Sequence, residues 1–246
     1  LLPDPQAPIF YPPNLLALIM PLEEFFIFSF MLHSFIGSLG MYFCSKNGFK
    51  FSQKTSLYLA ILFLVTPKLA GYLEAGHVGL INSLAWIPLV LLAALKLRES
   101  PKLKSSLLLG GSLALLYYSH LPTFLILAFT FGLIALKRKT ILYLLLAFGI
   151  TFGLTAVSLL PQLEWQKQST RYILIQDKDV YPKWNSVWQP LKNAVIPWAD
   201  GLTSLEQIDT EKWLAIGIFP SFLALLGFLK LKKQAKIMLN MQLNYL

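Results

Sequence analysis

Ser119-His120-Leu121-Pro122, residues 119–122, decides how this chain folds. The four residues interrupt an apolar stretch, 104–136, that would otherwise read as one helix. Pro122 has no backbone N–H and pushes the residue before it towards extended conformations. The stretch is therefore read as two helices, 104–119 and 121–136. The flanking charges agree. Lys102 and Lys104 precede the first half, and Lys137, Arg138 and Lys139 follow the second. One continuous membrane-crossing helix would send these cations to opposite faces of a bilayer. A hairpin returns them to the same face, as expected where cytoplasmic loops are rich in Lys and Arg.

Working outward, the same pattern recurs. Four basic clusters each follow a long apolar run: Lys46/Lys50/Lys54, Lys96/Arg98/Lys102/Lys104, Lys137/Arg138/Lys139 and Lys230/Lys232/Lys233/Lys236. They hold 14 of the 21 Lys and Arg residues and enclose one acid, Glu99. The chain is 56% hydrophobic and 13% charged, whereas a soluble domain is about a quarter charged. Apolar runs of this kind match the roughly 20 residues that cross a bilayer as a helix. The expectation is an all-α, polytopic integral membrane protein. Spans read as 23–44, 55–71, 79–97, 104–119, 121–136, 140–160 and 213–230, about seven transmembrane helices. Residues 1–13 are a Pro-rich loop and 14–20 a short interfacial helix stopped by Pro21.

With the basic clusters inside, the N-terminal loop and the polar segment 161–212 are extracytoplasmic, in a multi-pass protein of the cytoplasmic membrane. That segment carries Trp165, Trp184, Trp188 and Trp198, with Trp213 at its end. It reads as a large loop within a single transmembrane domain spanning 1–246. The net charge of +9 is no nucleic-acid signal, because the cations cap apolar helices instead of lining a polar face. Cys44 is the only cysteine, so an intrachain disulfide is excluded. The opening Leu1-Leu2-Pro3-Asp4 has neither Met nor a basic region before an apolar stretch. It reads as a fragment without its natural N-terminus.

Candidate chemistry gathers in the outer turns. Asp4, in Asp4-Pro5-Gln6, can act as a general base or metal ligand, or simply start a turn. Glu74 and His77 would share a face if the turn between them is helical. Groups at a membrane edge can move protons or bind phosphate, and can equally be interfacial solvation. His120 lies at another outer turn. Glu164 and Arg171 open the long loop. Arginine's planar fork suits the phosphate of a lipid, or a salt bridge to a carboxylate. His33, inside the first span, reads as hydrogen-bonded packing. No cofactor is fixed by these residues, and a divalent cation is the one candidate. Walker loops, dinucleotide fingerprints, His-Glu-x-x-His and Gly-x-Ser-x-Gly are all missing from the sequence.

Taken together, several segments resemble the YfhO-like family of bacterial membrane proteins, within the GT-C type of multi-spanning glycosyltransferases. They are Asp4-Pro5-Gln6 with Phe10-Tyr11-Pro12-Pro13-Asn14, and Leu32-His33 with Gly40-Met41-Tyr42. Gly76-His77 with Ala85-Trp86-Ile87-Pro88-Leu89 is similar too, as are Ser119-His120-Leu121-Pro122 and Leu160-Pro161-Gln162-Leu163-Glu164 with Ser169 and Arg171. The resemblance implies transfer of a sugar from a polyprenyl-phosphate carrier to an envelope glycan or glycolipid acceptor, on the outer face of the cytoplasmic membrane. It implies Asp4, or an acid upstream of it, as catalytic base. Arg171, with His77, would hold the departing lipid-phosphate, and His120 would bind substrate. Glu74 and Glu164 would orient acceptor hydroxyls or a cation. The expected partners are the lipid-linked sugar donor, the acceptor and membrane lipids, with no nucleic acid. The alternative is a non-enzymatic membrane protein, such as a lipid-carrier transporter or an envelope-assembly subunit.

Overall fold

The structure, a computed structural model, describes residues 10–74, 76–165, 222 and 225–227. All regular secondary structure among the described residues is helical. A 3-10 turn, Pro12–Leu18, precedes α1, Leu22–Phe43, which runs on through a wider π turn, Cys44–Gly48. Then follow α2, Gln53–Leu64, α3, Pro67–Glu74, and α4, Val78–Glu99. The described helices end with α5, Leu103–Ser119, α6, Leu121–Ala135, and α7, Ile141–Trp165. The described residues divide into two units. The first holds residues 10–65 and 76–165, and the second holds α3 with residues 222 and 225–227.

The break at His120 is present. His120 has φ −163° and ψ 105°, closing α5 and capping the start of α6. Side-chain bonds show the direction of each helix in the first unit. Arg98, near the end of α4, donates to the Ile134 carbonyl near the end of α6 at 2.6 Å. Gly79, in the first turn of α4, lies so close to the Ser119 carbonyl that a Cβ there would stand 2.9 Å from it. So α4 and α6 run the same way, and α5 runs back between them. Ser106 donates to the Tyr143 carbonyl and Tyr118 to the Leu154 carbonyl, which sets α7 parallel to α5. A Cβ on Gly40 would meet Leu89, and one on Gly48 would meet Leu95, so α1 runs parallel to α4. Ser38 donates to the Ala60 carbonyl at 3.0 Å, tying α2 to α1.

These directions give the unit two chemically distinct ends. Lys46, Lys50, Lys54, Lys96, Arg98, Lys102, Lys104, Lys137, Arg138 and Lys139 lie at one of them. His77, His120 and Glu164 lie at the other. The two-helix reading of 104–136 and the shared side of the first three basic clusters therefore hold within this unit.

Two helix limits differ from the sequence reading. The helix expected over 55–71 is broken at Val65-Thr66 into α2 and α3. Pro67 opens α3, where its missing N–H costs nothing, and it disfavours helical geometry at Thr66. The helix expected to end at residue 160 continues through Pro161 to Trp165. Tertiary bonds hold that last turn. Tyr117 donates to Gln162 Oε1 at 2.7 Å, and Gln162 Nε2 donates to Ser158 at 3.0 Å. Residues 161–165 are thus helix and not loop. The remainder of the expected loop, the expected span 213–230 for the most part, and the cluster Lys230–Lys236 lie outside the described residues.

Leu22–Gly48, Val78–Glu99 and Ile141–Trp165 are long and apolar enough to cross a membrane. Their faces are arranged accordingly. The buried side of α1 carries Phe25, Ser29, His33, Ser34, Gly37 and Gly40, while Ile27, Met31, Phe35 and Leu39 are exposed. On α7, Leu142, Leu145, Phe152 and Val157 are exposed and Ala147, Thr151, Thr155 and Ser158 are buried. Small and hydroxylated residues inside, with large apolar residues outside, suit helices packed in lipid, where close backbone approach replaces the hydrophobic drive of water. The Gly110 position shows that approach, since a Cβ there would lie 2.6 Å from the Ala147 carbonyl oxygen. Thr151 Oγ1 donates across the same seam to the Gly110 carbonyl at 3.1 Å. A core of Leu97, Leu109, Leu113, Leu116 and Phe131 fills the space between α4, α5 and α6.

Candidate functional site

The end opposite the lysines is built from helix starts. His77 is the N-cap of α4 and His120 is the N-cap of α6. The first backbone N–H groups of a helix have no partner within it, so these positions attract anions. Thr123 N donates to His120 Nδ1 at 3.3 Å, and Thr123 Oγ1 lies 2.7 Å from the same nitrogen. A nitrogen that accepts a backbone N–H carries no proton, so in the neutral ring the hydrogen is on Nε2. Ser83 of α4 reaches the same threonine at 3.4 Å and donates to the Leu80 carbonyl at 2.7 Å.

Gly79 makes room for this turn, since a Cβ there would lie 2.9 Å from the Ser119 carbonyl oxygen, and it places the start of α4 beside the His120 ring. His77, exposed at the helix start, is close enough to act on His120 electrostatically. Burial holds the His120 pKa below its usual 6.5, and the neighbouring His77 charge lowers it further. The structure thus brings His77 and His120 together, although they are 43 positions apart in the chain.

Glu164 is exposed in the last turn of α7, at the same end. The Tyr117–Gln162–Ser158 bonds fix the turn that carries it. Glu74 is the last residue of α3, in the second unit. At Gly76, just before His77, the backbone is not helical. Gly76 has φ +74°, a left-handed conformation that glycine adopts without cost, and α4 begins only at Val78. The condition for a shared helical face of Glu74 and His77 is therefore not met. Asp4 and Arg171 lie outside the described residues. Among the described residues, no three His, Cys, Asp or Glu side chains are grouped to hold a metal ion.

Inside the bundle, sequence reading missed a polar cluster. Tyr11, fully buried, precedes the 3-10 turn and reaches into the bundle. Trp86 Nε1 donates to the Tyr11 hydroxyl oxygen at 2.6 Å. The Tyr11 hydroxyl lies 2.6 Å from His33 Nε2, and His33 Nδ1 lies 2.6 Å from the Ser29 carbonyl oxygen. A carbonyl only accepts, so Nδ1 is the donor, and Tyr11 O–H donates to Nε2. The Tyr11 hydroxyl, both His33 ring nitrogens and Trp86 Nε1 are thus all hydrogen-bonded. Burial pushes the Tyr11 pKa well above its usual 10.0, the Trp86 bond acting in the opposite sense, so the hydroxyl keeps its proton. His33 is hydrogen-bonded packing, as its sequence position suggested.

Asn82 is also buried, at 2% exposure, and its Oδ1 has no hydrogen-bond partner among the described residues. It lies three residues after Gly79, on the same face of α4 and one turn deeper. A buried amide oxygen left without a donor costs roughly 1–3 kcal/mol, so it is an acceptor in want of a donor. No pattern in the sequence marks it out, because its isolation depends on what packs around it. No protein-family model, curated protein or solved structure matches this chain.

Proposed function

We propose that this chain is an integral membrane glycosyltransferase of the GT-C kind. It transfers a sugar from a polyprenyl-phosphate carrier to an envelope acceptor on the extracytoplasmic face of the cytoplasmic membrane, through about seven spans. The observation that carries the reading is the pairing of His77 and His120 at two neighbouring helix starts, at the end that also holds Glu164 and opposite the lysines. Helix N-termini with an imidazole N–H beside them suit a phosphate. In the proposed reaction, Asp4 takes the proton of the acceptor hydroxyl. The hydroxyl oxygen attacks the anomeric carbon, and the bond to the carrier phosphate breaks. His77, His120 and Arg171 receive the charge that grows on that phosphate, which is stabilisation realised mainly in the transition state. Glu164 and the unsatisfied Asn82 oxygen accept hydrogen bonds from hydroxyls of sugar or acceptor groups.

The test is transfer activity in membranes containing the full-length protein, against a panel of polyprenyl-phosphate sugars. Arg171→Ala is expected to lower transfer at least a hundredfold, about 3 kcal/mol, with normal membrane insertion. Asp4→Asn is expected to abolish it if Asp4 is the base. Unchanged transfer in Arg171→Ala removes that residue from the site. No transfer with any donor in the panel favours the non-enzymatic reading, a carrier transporter or assembly subunit.

A further inference from the structure

We infer that the lysine end of the first unit is a binding surface for anionic phospholipid headgroups. Ten cations from four separate chain segments meet there: Lys46, Lys50 and Lys54, Lys96 and Arg98, Lys102 and Lys104, and Lys137–Lys139. All ten are exposed. Glu99 is the one acid in these segments. Among the described residues, the side-chain hydrogen bonds these cations make go to neutral groups: Lys46 to the Tyr42 hydroxyl, Lys50 to the Asn47 carbonyl and Arg98 to the Ile134 carbonyl. The end of one helical bundle is only a few Debye lengths across at physiological salt. Ten like charges held there repel one another unless anions lie among them.

The apolar residues beside the cations distinguish a lipid from a soluble polyanion. Phe49 and Phe51 flank Lys50 and stack at 5.8 Å between ring centres, with 50% and 46% of their surface exposed. Lys50 takes a left-handed conformation, φ 59°, in the turn that presents the two rings. Leu103 stands between Lys102 and Lys104 at 57% exposure, and Leu136 and Ile141 bracket Lys137–Lys139 at 46% each. A nucleic acid would neutralise the charge and leave these side chains in water. A phospholipid meets both needs, since its phosphate lies against the cations and its acyl chain against the rings and leucines. The inference is independent of the reading of the histidine end.

The test is lipid binding by the full chain in mixed micelles of a neutral detergent, titrated with phosphatidylglycerol or phosphatidylcholine and followed by the unfolding midpoint. Phosphatidylglycerol is expected to raise the midpoint at concentrations where phosphatidylcholine does not. Each cation at a membrane surface is worth about fivefold in affinity. The variant K137Q/R138Q/K139Q should therefore shift half-saturation roughly a hundredfold, and K102Q/K104Q about twenty-fivefold. The charge-keeping K137R/K139R should leave it unchanged. If the triple variant fails to insert, the double variant carries the test. Equal effects of the two lipids, or unchanged half-saturation in K102Q/K104Q, would overturn the proposal. So would displacement of the lipid by millimolar inorganic phosphate or by a single-stranded oligonucleotide.

Discussion

Tyr11 hydrogen-bonds two side chains that the sequence keeps far apart: it accepts from Trp86 Nε1 and donates to His33 Nε2. Tyr11→Phe keeps the ring and removes both bonds, leaving the buried His33 Nε2 and the half-buried Trp86 Nε1 without these partners. The expected loss is about 1–3 kcal/mol, seen as a lower unfolding midpoint in detergent. A midpoint equal to wild type would mean that another group or water satisfies both nitrogens. His120 sets a pH dependence at the same scale. Its pKa in the folded protein lies below 6.5, burial being the larger cause and His77 the smaller. As pH falls through 6.5, the unfolded chain takes up a proton that the folded chain resists, so stability is present above this range and is lost below it. The unfolding midpoint should fall between pH 7.5 and pH 5.5, and the fall should shrink in His120→Asn, which keeps a capping side chain. An identical fall in the variant would assign the effect to other groups.

At the scale of the element, neighbouring glycines of α5 differ in kind. A Cβ on Gly110 would lie 2.6 Å from the Ala147 carbonyl, a backbone atom that cannot step aside, whereas one on Gly111 meets nothing within 4 Å. Gly110→Ala is expected to part α5 from α7 at about 1–3 kcal/mol. Gly111→Ala should be neutral or stabilise by up to about 1 kcal/mol. Unfolding midpoints of the pair decide it, and equal effects would mean that α5 does not approach α7 so closely. Prolines show the same dependence on neighbours. Pro67 and Pro122 mark breaks, as their missing N–H dictates, because each sits at a helix start. Pro161 does not end α7, because Tyr117 and Ser158 hold Gln162 in the next position of the helix. The sequence reading placed the break at Pro122, but ran the span 55–71 through Pro67 and stopped the last one at 160 before Pro161, where the bonds that hold Gln162 come partly from another helix.

For the whole molecule, the hairpin at His120 is what separates cations from histidines. With α5 and α6 antiparallel, Lys139 and Lys46 share an end, and His77 and Glu164 share the other. Single cysteines at these positions test the arrangement. Cys44, the only native cysteine, is buried, so a Cys44→Ala background suits the experiment. Cysteines replacing Lys46 and Lys139 should react with an impermeant thiol reagent from one side of sealed membranes. Those replacing His77 and Glu164 should react only from the other. Lys46 and Lys139 labelling from opposite sides would mean that 104–136 crosses as one helix.

The amino-acid sequence by itself determined that the described residues are helical and that helices long and apolar enough to cross a membrane are among them. It also determined where the chain turns at His120, because apolar run length, proline chemistry and the spacing of cations are local properties. It singled out His77, His120 and Glu164 as polar groups at turns on the side away from the lysines, again from order along the chain. Only the tertiary structure decided which of them meet. Gly79 had to bring α4 against the Ser119 carbonyl before His77 could act on His120. Tyr11 had to enter the bundle before Trp86, 75 positions away, could bond to it. Asn82 is unsatisfied only because of what surrounds it. Hydrogen bonds and buried charges depend on distances of a few ångströms between remote segments, and those are set by packing.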